Sequence, residues 1–467
     1  MQRGDIDAAA RLCRHILTKN ANHPDALRIL GVIEMQRGDV ARAVTRLRRA
    51  VQLRPRDALT RCDFGVALER AGQTDDAARA YRDAIACDPD CAPAWCNLGD
   101  VLAARGDTDA AIDAYSRAIA LTPAYAQAHA NLGLALVEAG RTAEALSACR
   151  AALAIAPDML GPRFTAAQIE LLHGDFVNGF ADYEVRWRLP SLAHRVARYH
   201  EPLWDGGPLD GRTILLHDEQ GLGDALQFIR YAPRVAARGG RVVVSCDGAL
   251  VRLVATADGV AAVAARDTET EPCAVRAPLL SLPRLFATTV ATVPADVPYL
   301  AVPAQARAPA ALRDAPGDAL KVGIVWAGNP AHARDRVRSC APDRFLALAG
   351  LPGVRLYSLQ VGAAAAALAG AGDAVTDLGR GFADFADTAA AVAALDLVIT
   401  IDSAVAHLAG ALARPVWILL PFAPDWRWMT GRDDTPWYPT ARLFRQPAPG
   451  DWDAVFAAVA AALRARS

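Results

Sequence analysis

Four segments of this 467-residue chain carry side chains whose types and spacing suit chemistry at the end of a β-strand. The first is His217-Asp-Glu-Gln-Gly-Leu-Gly-Asp-Ala-Leu-Gln-Phe228, where an apolar run meets glycines and then a helical pattern. Gly221 and Gly223 mimic a dinucleotide-binding turn, with Gln220 leading into it, but Leu226 stands where the third glycine belongs. Asp224 lies where a pyrophosphate would approach the helix start, and an anion there repels phosphate. A carboxylate in that place suits removing the proton of an acceptor hydroxyl. It also suits capping the helix, which aspartate favours in any fold.

The second segment is Leu397-Val-Ile-Thr-Ile-Asp-Ser-Ala-Val-Ala-His-Leu-Ala-Gly410. A buried strand ending at Asp402-Ser403 hands over to a helix of small residues, whose free N–H groups and dipole favour an anion. Ser403 can cap that helix or touch a phosphate. His407 lies one turn in, either near a cleft or in the core. Asp402 would disfavour phosphate if it pointed inward, and faces a sugar hydroxyl or caps the helix instead. The third segment, Trp326-Ala-Gly-Asn-Pro-Ala-His-Ala-Arg-Asp-Arg-Val-Arg-Ser339, puts Asn329, His332, Arg334, Arg336 and Arg338 on a loop after a strand. Guanidinium forks match phosphate oxygens; a solvated basic loop is the alternative. The fourth, Pro421-Phe-Ala-Pro-Asp-Trp-Arg-Trp428 with Trp437-Tyr438, offers aromatics that either stack on a base or sugar or staple the C-terminal segment.

These motifs need strands to carry them. From Thr213 onward short apolar runs alternate with Ala-rich helical stretches, the pattern of a parallel sheet. Thr213–His217, Arg241–Cys246 and Val260–Ala264 form one series; a Pro/Ala-rich linker spans Val302 to Asp318. Val322–Trp326, Val354–Gln360, Leu397–Ile401 and Val416–Leu420 form a second. Two such halves make a cleft, and ligands of open α/β sheets sit beyond the strand C-termini.

The first third has another logic. Gly31, Gly65, Gly99 and Gly133 recur every 34 residues, followed by Ala43, Ala77, Ala111 and Ala145, then Ala50, Ala84, Ala118 and Ala152, then Pro55, Pro89, Pro123 and Pro157. Small residues let two antiparallel helices approach, large ones fill the gap between them, and proline ends the second helix. Ala94-Trp-Cys-Asn-Leu-Gly99 with Ala111, Tyr115 and Pro123 fits the tetratricopeptide pattern, giving four full repeats over 24–159. Met35-Gln-Arg-Gly-Asp39 repeats Met1-Gln-Arg-Gly-Asp5, so the helix around Ile6–Leu17 lacks its first partner. The expectation is a true start upstream of Met1, or self-association through this face. Gly174–Trp187 keeps the turn but brings in Phe176, Phe180, Tyr183 and Trp187, as a cap would. Asp63, Asn97 and Asn131 share one repeat position, where they either hold a peptide backbone in the groove or form a solvated polar face.

Composition narrows the classes. The 50 Lys+Arg nearly cancel 51 Asp+Glu, against a chain drawn electrostatically onto nucleic acid or anionic lipid. Only Lys19 and Lys321 are lysines, so arginine is the default cation. No targeting segment or membrane span is read, and nine scattered cysteines fit a reducing cytoplasm. Cys87, Cys91 and Cys96 cluster without a histidine at zinc-finger spacing, so inter-repeat packing is the expectation and no metal site is assigned.

Gln220-Gly-Leu-Gly-Asp224, Val325-Trp-Ala-Gly-Asn-Pro330, Asp402-Ser-Ala-Val-Ala-His407 and Pro424-Asp-Trp-Arg-Trp428 together resemble the bacterial tetratricopeptide-repeat glycosyltransferases. Their catalytic half is related to the ADP-heptose:lipopolysaccharide heptosyltransferases, and their plan is similar to that of O-GlcNAc and flagellin glycosyltransferases. The resemblance implies an α-solenoid followed by an α/β GT-B fold of two Rossmann-like lobes. Its expected divisions are a solenoid at 1–159, a capping repeat and linker at 160–205, an acceptor lobe at 206–303, a linker at 304–320 and a nucleotide-sugar lobe at 321–467. It implies Asp224 as general base and the motif of Ser403 and His407 at the donor's pyrophosphate. The loop residues Asn329, Arg334, Arg336 and Arg338, with Asp402, complete the donor set expected from the residues themselves. Arg334 stands where related chains often carry lysine. The co-substrate would be a nucleotide-sugar, with no metal or other cofactor, and the acceptor a protein held by the repeats. Two other classes stay open: an adaptor with a decayed catalytic half, and a nicotinamide dehydrogenase, weakened by the missing glycine.

Overall fold

The computed structural model describes residues 3–190, 192, 198–314, 319–332 and 334–466. Met1, parts of both expected linkers (191, 193–197 and 315–318) and Ala333 of the arginine loop lie outside the described residues. The chain divides into two compact units, Met1–Ala166 and Ala167–Ser467.

The first unit is helical. After α1 (Arg3–Lys19) come the pairs α2 (Pro24–Gln36) and α3 (Val40–Leu53), α4 (Ala58–Arg70) and α5 (Thr74–Cys87), α6 (Ala92–Arg105) and α7 (Thr108–Leu121), and α8 (Ala126–Glu138) and α9 (Thr142–Ile155). The 34-residue glycines are explained by contact. A Cβ on Gly65 or Gly99 would lie 2.4 or 2.6 Å from the ring of Tyr81 or Tyr115, and one on Gly31 would lie 2.8 Å from Leu47. Each pair can close only because the first helix has nothing there. A second glycine series, Gly38, Gly72, Gly106 and Gly140, takes positive φ between the two helices of each pair. On α1, Ala10 and Cys13 pack with Ala26, Leu30 and Ile33 of α2, and Ile6, Ile16 and Leu17 join that cluster. Leu12 stays 60% exposed.

Helices α10 (Leu160–Leu172) and α11 (Phe176–Tyr183) follow, and α11 brings its aromatics against the C-terminal tryptophans. Phe176 stacks on Trp437 at 5.7 Å, and Phe180 meets Trp426 edge-on at 5.6 Å. Beyond them lie two parallel sheets. The first has the order β3-β2-β1-β4, with β1 (Thr213–His217), β2 (Arg241–Cys246), β3 (Val260–Ala265) and β4 (Val275–Pro278). The second has the order β10-β9-β8-β5-β6-β7, with β5 (Leu320–Val325), β6 (Val354–Ser358), β7 (Val375–Asp377), β8 (Leu397–Ile401), β9 (Val416–Leu420) and β10 (Ala441–Arg445).

Three strands go beyond the sequence reading. β4 ends in proline and holds an arginine, β7 is three residues long, and β10 has its Arg442 side chain exposed at an edge. None presents the apolar run that marked the other seven. β5 and β6 also stop short of Trp326 and Gln360, because the chain turns there into the loops that carry the motifs. Strand order reverses at β1 and at β5, the places where open sheets leave a crevice.

Candidate active site

α12 (Leu222–Phe228) starts directly after β1, and α13 (Ala404–Ala411) directly after β8. The two helix starts meet. A Cβ on Gly223 would lie 2.7 Å from His407 Cδ2 and 3.5 Å from the Cα of Ala404, so glycine here is what allows α12 to rest on α13. Asp224 Oδ2 accepts the Gly221 N–H at 2.7 Å, so the carboxylate does cap its own helix. Its Oδ1 accepts Arg427 Nη2, which comes from the loop after β9. The Asp224 side chain is 16% exposed. Capping and presentation toward other groups therefore coexist at this residue.

Arg427 is the residue the sequence reading left without a role. It is 6% exposed, lies over the Trp426 ring at 4.2 Å, and donates through Nε to Gln227 Oε1 at 2.7 Å and through Nη1 to Asp425 Oδ1 at 2.8 Å. Burial pushes the Asp425 carboxyl up, but Arg427 and then Arg334 more than offset this and hold it below the usual carboxylate range. Asp402 behaves oppositely: burial, then the nearby Asp425, pushes it to about 6 against the pull of Arg338 and Arg427. Asp224, Asp402 and Asp425 thus share a neighbourhood balanced by arginines.

Ser403 caps α13, its Oγ accepting the Val405 N–H at 3.3 Å and lying 2.9 Å from Thr400 Oγ1. His407 is packed rather than presented. Its Nδ1 lies 2.9 Å from the Tyr438 hydroxyl and its ring stacks on Trp428 at 5.3 Å. Burial, helped by Arg427, pushes it down to about 3, so it stays neutral. The aromatics of the fourth motif staple the fold: Trp426, Trp428, Trp437 and Tyr438 are all buried.

The arginine loop is spread out. Arg334 donates to the Ala423 carbonyl, Arg338 pairs with Asp335 at 3.2 Å, and Arg336 is exposed. Asn329, also exposed, accepts the Ala331 N–H at 3.0 Å and so shapes its own turn. Gln220 Nε2 reaches the Tyr183 hydroxyl at 3.4 Å. Behind it, Glu219 pairs with the fully buried Arg186 at 3.0 Å, yet burial still pushes this carboxyl up to about 8. A hollow of about 240 Å³, absent from the sequence reading, opens beyond β6 and β7 between Gln360, Gly362, Gly379 and Arg380. A Cβ on Gly379 would lie 2.0 Å from the Gln360 carbonyl oxygen, which gives that glycine its reason.

Within the repeats, the aligned polar residues tie neighbours together. Arg28 donates to Asp63 at 2.9 Å, Asn97 to Cys62 Sγ at 3.4 Å and Asn131 to Asp100 at 2.6 Å. Among the described residues no group of histidines, cysteines and carboxylates could hold a metal, and no helix is long and apolar enough to cross a membrane.

Tetratricopeptide-repeat family models match residues 1–61, 62–126 and 104–159. The chain is 30% identical over 338 residues to "Protein FlbA" of Caulobacter vibrioides, covering 66% of this chain and 55% of that protein. It thus spans about half the length of the curated relative it matches. Among solved structures, MamA is similar at 30% identity over 33% of this chain and 90% of its own, with a TM-score of 0.30. TTC0263, a thermophilic TPR protein of Thermus thermophilus, is similar at 28% identity over 36% and 92%, with a TM-score of 0.32. The 34-residue period, the paired helices and the family models agree that the N-terminal third is built of tetratricopeptide repeats.

Proposed function

We propose that the chain is a glycosyltransferase of the two-lobed GT-B kind, moving a sugar from a nucleotide-sugar to an acceptor hydroxyl on a protein recruited by the repeats. The observation that carries this reading is the meeting of two helix starts from two different parallel sheets, one bearing Asp224 and the other capped by Ser403. The donor's diphosphate would lie at the Ser403 tip, with Arg338 nearby and His407 as packing behind it. Its base would reach toward the hollow beyond β6, two strand spacings from β8 and therefore about 10 Å away. Asp224 would take the acceptor proton as the anomeric carbon–oxygen bond to the diphosphate breaks. Negative charge then grows on the leaving diphosphate, where helix dipole and guanidinium stabilise it.

The test is release of free nucleotide from a panel of UDP-, ADP-, GDP- and CMP-sugars, with intact-mass analysis of co-expressed protein acceptors, flagellin included. Asp224→Asn is expected to lower turnover by about two to four orders of magnitude with little change in donor affinity. Near-normal turnover would remove Asp224 from the base role. A second reading, a repeat adaptor with a silent catalytic half, draws on one observation: both Asp224 oxygens already have protein partners. It predicts no nucleotide release from any donor.

A further inference from the structure

We propose that Arg427 is the positioning residue for Asp224, an inference that rests on the transferase reading above. A carboxylate on a short helix turns about two side-chain bonds unless both oxygens are held. Here one oxygen is fixed by the Gly221 N–H and the other by Arg427. Arg427 is itself held on three sides. Gln227, one turn along from Asp224 on α12, takes its Nε; Asp425 takes its Nη1; the Trp426 ring supports its face. Gln227 is fully buried, so the receiving end of that hydrogen bond has nowhere else to go. Asp224 and Gln227 belong to the helix after β1, while Asp425 and Arg427 follow β9. The planar fork therefore ties the carboxylate to the second sheet in one orientation, and a lysine, with a single point of charge, cannot serve three acceptors in that plane.

The geometry requires that Arg427 act through Asp224 and not on its own. Losing it should cost activity only while Asp224 is present, because groups that work as a unit are non-additive. Nucleotide release from the active donor of the panel is measured for wild type, Arg427→Lys, Asp224→Asn and the double variant. Arg427→Lys is expected to lower kcat about 10- to 100-fold with donor KM within about twofold. The double variant is expected to be no slower than Asp224→Asn alone. Gln227→Met, which frees Nε while filling the same space, should give a smaller loss that likewise vanishes in the Asp224→Asn background; it stands in if melting curves show Arg427→Lys unfolded. Additive losses, or a change in KM with kcat intact, would overturn the assignment by making Arg427 a direct donor contact or a general stabiliser. A wild type that releases no nucleotide from any donor sinks the transferase reading itself, and this inference with it. An active wild type with additive losses sinks the inference alone.

Discussion

The two compact units differ in how deeply they bury their arginines. In the repeats, ion pairs such as Arg54–Asp25 and Arg105–Asp75 sit at the surface, between helices close in sequence. In the second unit, Arg186, Arg230 and Arg427 are almost wholly buried, and each is satisfied by residues far along the chain. Arg230 donates to the Trp437 carbonyl at 2.7 Å and to the Tyr299 hydroxyl at 2.8 Å. A surface pair exchanges one hydrated state for another and gains little. A buried guanidinium loses its water and needs every acceptor in place, so it enforces one arrangement of the elements around it. The solenoid thus keeps its guanidiniums near the surface, whereas the second unit adds these three buried ones to surface pairs such as Arg241–Glu271.

The strongest way to break that contrast is Arg186→Met. Removing the guanidinium that Glu219, Glu184 and Ser281 share should cost about 3–5 kcal/mol in denaturant unfolding above about pH 8, where Glu219 is ionised. The cost should shrink as pH falls through about 8, because Glu219, raised to about 8 even beside Arg186, then stays protonated in the folded state. A loss below about 1 kcal/mol would show that the buried pair is dispensable. In the repeats, Gly99→Ala presses a methyl into the Tyr115 ring and should cost about 1–3 kcal/mol by overpacking, although an open helical site would gain from alanine. A stabilised variant would remove the steric account of the 34-residue glycines.

The histidines sharpen the comparison further. His217 and His407 are both pushed down to about 3, chiefly by burial. Between about 3 and 6.5 the unfolded chain takes up protons that the native one refuses, so stability present above 6.5 is lost as pH falls. Each should contribute about 1–2 kcal/mol of that loss between about pH 6.5 and 5, read as the slope of unfolding free energy against pH. His407→Phe, which keeps the ring on Trp428, should flatten its share of the slope. At the small end, Asp25→Ala breaks the exposed Arg54 pair and should shift stability by less than about 1 kcal/mol.

Legibility followed sequence distance. The close approach of Gly65 to Tyr81 joins residues 16 apart and repeats every 34, so period and composition disclose it. The strands carrying the motifs were equally visible, since burial on both faces demands a continuous apolar run. β4, β7 and β10 were not, because an edge or a three-residue strand needs no such run. At the site, Asp224 and Ser403 announced themselves through glycine-rich or small-residue helix starts, but their meeting did not. Gly223 against His407 and Asp224 against Arg427 join positions 184 and 203 apart. In the sequence His407 reads as a core residue or, less readily, a ligand; the Tyr438 hydroxyl and the Trp428 ring place it in the core.

By itself the amino-acid order determined the repeat period, the small residues that let its helix pairs close, and the loops that end the main strands. Those are properties of short stretches, set by sterics and by the need to bury apolar area locally. Only the tertiary structure decided which carboxylates share an arginine, which histidine is sealed away from water, and where a hollow opens. Desolvation and hydrogen-bond satisfaction depend on every group within a few ångströms, and in a parallel sheet those groups come from segments hundreds of residues apart.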